Sequence, residues 1–175
     1  MCGFAGFSDY SDELLDEKYL WMALARRMAR RLSHRGPDDQ GAHVSAHCAL
    51  AHMRLAVIDP ENGQQPMSAR REGHEFTIAY NGELYNAAEL RADLEARGCR
   101  FYTNCDTEVV LNAYIVYGEE CAKKLNGIFA FAVDDGWKER TFLCRDRFGV
   151  KPFFYTIQGD RLAFASEIKG LFEFP

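Results

Sequence analysis

The stretch from residue 129 to residue 144 constrains the fold of this chain more than any other part of the sequence. Residues 129–133 read Phe-Ala-Phe-Ala-Val, so large and small apolar side chains alternate with a period of two, which is typical of a β-strand. The pair Asp135-Gly136 then marks a turn, and residues 141–144 return as Thr-Phe-Leu-Cys. The pattern therefore predicts an antiparallel hairpin and a sheet-containing fold.

Further short segments have the same strand-like character. Two of them, at 153–155 and 162–164, flank Gly159-Asp160 and predict another hairpin. Strands are also predicted at residues 3–8, 41–47, 49–58 and 75–80.

Three segments have the periodicity of helices and are bounded by residues that start or end helices. The predicted helices cover residues 12–32, 87–97 and 107–117. Ser11, Asn86 and Asp106 stand at the N-cap positions, and Gly98 and Gly118 follow the second and third helices. The apolar stripe of the first helix consists of Leu14, Trp21, Leu24, Met28 and Leu32. Runs of strands with helices set apart favour an antiparallel α+β layered domain.

Length and composition exclude several classes of protein. The 175 residues suit one domain spanning 1–175, and 47% hydrophobic with 27% charged residues is close to the globular average. Disordered, collagen-like and coiled-coil chains are excluded on this ground. The formal net charge of −5 argues against nucleic acid as a partner. No apolar stretch approaches the roughly 20 residues that a membrane-spanning helix needs.

The N-terminal segment and the cysteines indicate the compartment. Residues 1–7 have no basic region, so they are not a secretory signal, and we expect a cytoplasmic protein whose six cysteines are reduced. The cysteines form no C-x-x-C pair and no cluster with histidine at zinc spacing, so the sequence predicts no metal site.

Cys2 is the first candidate catalytic residue. If Met1 is removed, Cys2 carries both a thiol and a free α-amine, whose reference pKa values lie near 8.5 and near 7.7–8.0. Nucleophile and base would then sit in one residue, which is the logic of N-terminal nucleophile hydrolases. The alternative interpretation is that Cys2 is an ordinary small apolar residue.

Asn81-Gly82 follows the strand-like segment 76–80 and has two interpretations. Asn-Gly after a strand is usually a hairpin turn. A side-chain amide beside a glycine N–H also makes a two-donor oxyanion hole, and glycine lets a substrate approach the backbone closely.

Two charged residues are candidates for binding the ends of a small zwitterion. Arg54 lies in the apolar run 49–58, where its guanidinium needs a partner, and an α-carboxylate would match its geometry. The alternatives are a structural ion pair or an arginine on the solvent-exposed face of a strand. Asp106 could hold an ammonium group, or cap the third helix, or do both.

Two loop motifs have weaker interpretations. His34, in Ser33–Asp39, invites a Cys-His dyad, but a loop histidine without an orienting third group is more often solvated or capping. The segment 145–152 is predicted to be a turn whose charges pair locally.

Taken together, the ordered motifs resemble the class II, N-terminal nucleophile, glutamine amidotransferase domain, specifically that of the glutamine-hydrolysing asparagine synthetases. The resemblance extends over essentially the whole chain. The matching stretches are Met1–Gly3, His34–Asp38, Arg54–Asp59, Asn81–Asn86, Asp106–Glu108, Arg145–Pro152 and Ala165–Lys169.

The resemblance implies a role for each candidate residue. Cys2 would be the nucleophile, Arg54 would bind the α-carboxylate of glutamine, and Asp106 would bind its α-amine. Asn81 and Gly82 would form the oxyanion hole. The implied pocket lining consists of Glu83 and the segment containing Leu55, Val57 and Ile58. The implied fold is a four-layer αββα sandwich of the N-terminal nucleophile hydrolase type.

The family's synthetase half, which binds ATP and aspartate, has no counterpart in this sequence. The chain has no G-x-x-x-x-G-K-[ST] loop and no Ser-Gly-Gly signature, so we expect no cofactor here and expect ATP and Mg²⁺ only in a separate synthetase domain. The predicted partners are L-glutamine and that domain, and a homodimer is left open. Two alternatives remain open: an amidotransferase of the same type with another ammonia acceptor, and a non-catalytic regulatory domain if Met1 is retained.

Overall fold

The computed structural model describes residues 1–175 as two antiparallel sheets with helices on their outer faces. The strands are β1 Gly3–Asp9, β2 Asp39–Val44, β3 Cys48–Arg54, β4 Met67–Arg71, β5 His74–Leu84, β6 Gly127–Asp135, β7 Arg140–Arg145, β8 Phe154–Gln158 and β9 Arg161–Ala165. The helices are α1 Lys18–Arg30, α2 Ala87–Ala96, α3 Asp106–Tyr117, α4 Cys121–Lys124 and α5 Ile168–Leu171, with short 3₁₀ turns at Ser33–Arg35 and Gly118–Glu120.

The first sheet has the strand order β2-β3-β1-β9-β8 and carries α1 on one face. Along β1, Ala5 and Phe7 point to the α1 side, where they pack with Leu24 and Met28 of the helix. Phe4 points to the opposite face and packs in the layer between the two sheets. This alternation follows from the period of two along a strand.

The second sheet has the order β4-β5-β6-β7 and is covered by α2 and α3. Phe131 and Val133 of β6 face the helices, while Ala130 and Ala132 face the first sheet. Small side chains on the inner face let the two sheets approach each other closely, and large ones on the outer face fill the space beneath the helices. The order of layers is helix, sheet, sheet, helix, so the predicted αββα sandwich is confirmed.

Both predicted hairpins are confirmed, but the first predicted helix is too long at both ends. It begins at Lys18, with Glu17 at the N-cap position, and ends at Arg30. Ser11 is not a cap, because its N–H and hydroxyl both donate to Asp9 Oδ1, at 2.9 and 2.6 Å. The predicted apolar stripe is nevertheless packed as expected against the first sheet.

The ends of the other elements were also partly wrong. Cys105, not Asp106, occupies the N-cap position of α3, and Asp106 is the first residue of that helix. Asn86 does stand at the start of α2, but its side chain contacts Lys124 and Asn126 instead of capping the helix. The strand predicted over 49–58 ends at Arg54, and strand β4 was not predicted at all.

No helix in the structure combines the length and the apolar character needed to cross a membrane.

Candidate active site

A cavity of about 330 Å³ opens at the end of β5, beyond the point where β4 stops. Every residue to which the resemblance assigns a role contributes to its wall. These residues are Cys2, Arg54, Leu55, Val57, Ile58, Asn81, Gly82, Glu83 and Asp106. The cavity thus brings together segments that lie as much as 150 positions apart in the chain, from Met1 to Lys151.

The cavity exists because one edge of β5 is open there. Strand β4 pairs with β5 only as far as Ile78, whereas β6 pairs with β5 up to Leu84. On the open edge, the Tyr80 N–H donates to Gln65 Oε1 at 2.7 Å and the Leu84 N–H donates to Asp106 Oδ2 at 3.1 Å. Since backbone groups alternate along a strand, the N–H of Gly82 points to this same edge, between those two bonds.

Asn81 presents an unpartnered donor to this region. Its side chain is 2% exposed, and its Nδ2 group has no hydrogen-bond partner within the protein. Buried amide donors are nearly always paired, so an orphaned one in a cavity wall marks a place for a ligand acceptor. Asn81 lies within β5, opposite Ala130 of β6, so the hairpin-turn interpretation of Asn81-Gly82 is wrong.

Residue 82 must be glycine because neighbouring atoms leave no room for a side chain there. A Cβ atom added there would lie 2.6 Å from the Tyr80 ring and 2.7 Å from Ile128 O, both inside van der Waals contact. Only glycine therefore leaves the Tyr80 ring in place and the Gly82 backbone accessible from the cavity.

Cys2 stands at the start of β1 with its thiol directed at the loop that follows β3. The Leu55 N–H donates to Cys2 Sγ at 3.3 Å, and Arg35 Nε donates to Cys2 O at 2.9 Å. Met1 precedes Cys2 in the cavity wall, and Lys151 Nζ lies 3.2 Å from Met1 Sδ. While Met1 is attached, the nitrogen of Cys2 is an amide and cannot act as a base.

Arg54 is buried and holds the loop that forms the rim of the cavity. Its guanidinium donates to the carbonyls of Pro60 at 2.8 Å, Asp59 at 2.7 Å and Ile58 at 3.3 Å. These three bonds use only part of its five N–H donors, so donors remain for a carboxylate. Arg54 forms no ion pair with a carboxylate of the protein, so it is not part of a structural ion pair. On the same loop, the Val57 side chain is 74% exposed at the mouth.

Asp106 also lines the cavity, at the first turn of α3. Its Oδ2 atom accepts bonds from the Tyr80 hydroxyl at 3.0 Å and from the Leu84 N–H. Burial raises the pKa of its carboxyl group, and these bonds oppose the rise. Burial and the neighbouring Asp106 also raise the pKa of Tyr80 well above its usual value, so the tyrosine hydroxyl is a donor. Glu83 is exposed at the rim.

Sequence reasoning missed several residues of the wall. Gln65, Tyr80, Thr107 and Lys151 line the cavity, and so does a second thiol, that of Cys105. Gln65 links two walls, because its Oε1 accepts from Tyr80 and its Nε2 donates to Thr107 Oγ1 at 3.3 Å. The sequence signal for Gln65 is only a glutamine before a proline, which gives no indication of this contact.

The two loop motifs support the site from outside the cavity. His34 bonds Glu167 at 3.0 Å and is not in the cavity wall, so it forms no dyad with Cys2. Burial opposes ionisation of Glu167, but bonds from Arg35, Lys169 and His34 lower its pKa to about 2. Glu167 thereby anchors Arg35, which holds the Cys2 carbonyl.

The segment 145–152 is a turn, as predicted, but its charged side chains do not pair with each other. Arg145 and Asp146 bond backbone groups instead. Arg145 donates to the carbonyls of Gly149 and Lys151, each at 2.6 Å. The carboxylate of Asp146 accepts from the N–H groups of Phe148, Val150 and Lys151, at 2.9 to 3.1 Å. The motif is therefore a rigid turn that carries Lys151 into the cavity wall.

A larger cavity of about 750 Å³ lies along β4 and contains none of the predicted residues. Two of its arginines form ion pairs with neighbouring carboxylates: Arg70 with Glu75 at 2.9 Å and Arg97 with Asp93 at 3.1 Å. Its buried acid, Glu108, accepts from Tyr102 and Thr103. Volume alone would favour this cavity, but the smaller one holds the unpartnered donor and the thiol. We therefore assign the site to the smaller cavity.

No group of three or more His, Cys, Asp or Glu side chains in the structure is placed to hold a metal ion.

Comparison with known proteins gives consistent results. A family model described as "Glutamine amidotransferase domain" matches residues 1–175. The chain is similar to asparagine synthetase [glutamine-hydrolyzing] 3 of Bacillus subtilis, with 48% identity over 175 residues, covering 100% of this chain and 28% of that protein. Asparagine synthetase [glutamine-hydrolyzing] 2 of Oryza sativa subsp. japonica is 37% identical over 173 residues, which cover 98% of this chain and 28% of that protein. The chain thus spans little more than a quarter of either relative.

A solved structure supports the fold. The glutamine phosphoribosylpyrophosphate amidotransferase from B. subtilis superposes with a TM-score of 0.78 at 23% identity, covering 97% of this chain and 43% of that one. At this identity the likeness shows that the fold is shared.

Proposed function

This chain belongs to the glutamine amidotransferase domain family and is of the asparagine-synthetase type, and from that membership we propose that it hydrolyses L-glutamine to glutamate and ammonia through a thioester on Cys2. The observation that carries the proposal is the unpartnered Asn81 amide in the same cavity wall as the Cys2 thiol. A buried donor beside a nucleophile is what stabilisation of an oxyanion requires.

The substrate is held at its α-carbon end by opposite charges. The free donors of Arg54 bind the α-carboxylate, and Asp106 in the same cavity binds the α-ammonium. A desolvated carboxylate is costly unless it is paired, so a bound ammonium lowers the cost of ionising Asp106. A glutamine inside a peptide offers neither charge and is a poor substrate.

Acylation begins once Met1 has been removed. The α-amine of Cys2 takes the thiol proton, and the thiolate adds to the γ-carbonyl carbon of glutamine. Negative charge on the former amide oxygen is accepted by the Asn81 amide and the Gly82 N–H. The tetrahedral adduct collapses, the protonated amine gives its proton to the leaving nitrogen, and ammonia departs from the γ-glutamyl thioester.

Deacylation repeats the sequence with water. The amine takes a proton from water as its oxygen adds to the thioester carbon, and the same two donors hold the second oxyanion. The C–S bond breaks, the thiolate regains the proton, and glutamate leaves. One glutamine and one water thus give one glutamate and one ammonia.

We further propose that the ammonia amidates aspartate in an ATP-dependent synthetase domain, where ATP and Mg²⁺ bind. The names of the relatives support this acceptor, and the chain spans 28% of the B. subtilis relative, which leaves length for such a domain. In this proposal the acceptor binds in the synthetase domain, so the residues of the cavity do not determine its identity.

The proposal is tested by mass and by activity. We expect the purified chain to lack Met1, to release glutamate and ammonia from glutamine, and to be alkylated at Cys2 by a diazoketone analogue of glutamine. Cys2→Ala should abolish both hydrolysis and labelling. A chain that keeps Met1 and is inactive would favour a regulatory domain.

Cys105→Ser is the matched control, because Cys105 is the other thiol in the same cavity wall. Burial raises the pKa of the Cys105 thiol, so little thiolate forms there at neutral pH. Activity and labelling should persist in this variant. Hydrolysis that continues at the wild-type rate in Cys2→Ala would overturn the proposal.

A further inference from the structure

One buried histidine lies next to the site and has no part in the chemistry above. His52 belongs to β3 of the first sheet and is 0% exposed. Its Nε2 atom lies 3.0 Å from the carbonyl oxygen of Tyr80, on β5 of the second sheet. The bond therefore joins the two sheets at the residue that precedes Asn81.

The position would ordinarily be apolar. Residues 48 and 50 share this face of β3 with His52, and they are Cys and Leu in the layer between the sheets. The cross-strand neighbour of His52 on β1 is Phe4. A polar ring in this setting costs free energy unless its bonds repay it, and here Nδ1 has no partner within the protein.

The protonation of His52 follows from its partner. A carbonyl oxygen only accepts, so Nε2 carries the hydrogen and Nδ1 carries the lone pair. Burial lowers the pKa of His52 to about 4, so the ring is neutral at pH 7. His52 is therefore a fixed neutral donor and takes no part in proton transfer.

Both backbone polar groups of Tyr80, its N–H and its carbonyl oxygen, are hydrogen-bonded to side chains. Gln65 accepts its N–H at 2.7 Å, and His52 donates to its carbonyl oxygen at 3.0 Å. That carbonyl lies in the same rigid peptide plane as the nitrogen of Asn81. The orientation of this plane sets the direction in which the Asn81 side chain leaves the backbone.

We propose that His52 is a positioning residue for the oxyanion hole. By holding the 80–81 peptide plane on the open edge of β5, it aims the Asn81 amide at the γ-carbonyl oxygen of bound glutamine. This inference rests on the proposed glutaminase function. It explains why a polar ring lies beside Phe4, Cys48 and Leu50.

Two amide substitutions separate positioning from general polarity. The glutamine amide of His52→Gln reaches the place of Nε2, whereas the asparagine amide of His52→Asn falls one methylene short. Misplacement by about 1 Å costs up to roughly 100-fold in rate. We expect His52→Asn to lower kcat for glutamine hydrolysis by about 10- to 100-fold, with KM within twofold, and His52→Gln to stay within threefold of wild type.

His43→Asn is the matched control, because His43 also reaches from the first sheet to β5. Its Nε2 lies 3.5 Å from Thr77 Oγ1, away from Asn81. We expect its kcat to equal that of the wild type. A folded His52→Asn with wild-type kcat, a His52→Gln as slow as His52→Asn, or an equal loss in His43→Asn would each overturn the proposal. A processed wild-type chain that does not hydrolyse glutamine would overturn the proposed function, and this is seen before any His52 variant is measured.

Discussion

The two halves of β5 have the same strand geometry but different surroundings. Residues 76–78 lie between β4 and β6, so sheet partners satisfy their backbone on both edges. Residues 80–84 pair with β6 alone, and their other edge is held by Gln65, His52 and Asp106 or faces the cavity. Opening one edge of an interior strand converts structural donors into donors that a substrate can use.

The two cavities beside this sheet show the same difference. The larger one lies along β4, where Arg70, Arg97 and Glu108 all have partners within the protein, and the smaller one lies where β4 is missing. The volume of a cavity depends only on the shape of the surface. Binding and catalysis also require polar groups that the protein itself leaves unpaired. If the open half of β5 and its cavity carry the activity, substitutions there should change the kinetics, and matched substitutions in the closed half should not.

The largest effect is expected at Arg54. Arg54→Ala leaves the bound carboxylate without its partner, at a cost of about 2–5 kcal/mol that should appear mainly as a higher KM for glutamine. Loss of the bonds to the 58–60 carbonyls adds mobility to the rim loop in the same direction. Steady-state glutaminase assays measure the change.

Arg100→Ala is the control from the larger cavity, since Arg100 lies in its wall and is exposed. Its KM should match that of the wild type. If both arginine variants raise KM equally, glutamine uses the larger cavity and the contrast between the two cavities fails.

Asn81→Ala should act on kcat instead. Charge on the amide oxygen is largest in the transition state, so losing one donor costs about 2.7–4 kcal/mol, or roughly 100- to 1,000-fold in kcat, with little change in KM. The control is Thr77→Ala in the closed half, which removes a bond to Ser68 Oγ of 2.8 Å from a buried side chain. It should lower stability by about 1 kcal/mol and leave kcat unchanged. An unchanged kcat in folded Asn81→Ala would place the oxyanion hole elsewhere.

These residues also show how far the sequence alone can lead. The alternation at 129–133 specified β6 because its large and small side chains match the two layers that it separates. Chemistry and order along the chain were enough to name Cys2, Arg54 and Asp106 as candidates. Whether Asn81-Gly82 turns or continues was ambiguous, because the answer depends on pairing with β6, some 45 positions further on. Long-range pairing overrode the local preference for a turn.

The open edge itself could not be predicted. It exists because β4 stops pairing at Met67, and the loop before it is held by Arg54 and by the bond from the Asn104 N–H to Asp59 at 2.8 Å. No local pattern encodes contacts between such distant segments. Gln65 and His52 were missed for the same reason, because each acts on the Tyr80 backbone, which leaves no trace in residue types.

A smaller effect is expected from filling the space at Gly82. In Gly82→Ala the new methyl group meets the Tyr80 ring and Ile128 O, so we expect a loss of about 1–3 kcal/mol in stability and a lower kcat. Gly136→Ala, at the closed end of β5, places its methyl group 2.6 Å from Glu75 O. It should lose stability without losing kcat. Urea unfolding and initial rates measure both quantities, and equal losses of kcat would remove the distinction between the halves.

The smallest effect in the wild type concerns pH, because His52 and Asp134, two buried groups beside different halves of β5, act in opposite directions. Burial lowers the pKa of His52, beside the open half, to about 4. Burial, with nearby Asp135 and Glu75, raises the pKa of Asp134, opposite Thr77 in the closed half, to about 6.

Between pH 6.5 and 4 the unfolded chain takes up a proton at the histidine before the folded one does, so His52 lowers stability as pH falls. Between pH 6 and 3.8 the folded chain holds the proton on Asp134 more tightly, so Asp134 raises stability as pH falls. Each slope is at most about 1.4 kcal/mol per pH unit, and in the wild type the two largely cancel.

Urea unfolding at several pH values from 6.5 to 4.5 should show His52→Gln gaining stability relative to wild type as pH falls, and Asp134→Asn losing it. Parallel curves for the wild type and His52→Gln would mean that the imidazole is hydrated, and the open half would then be less tightly packed than the structure shows.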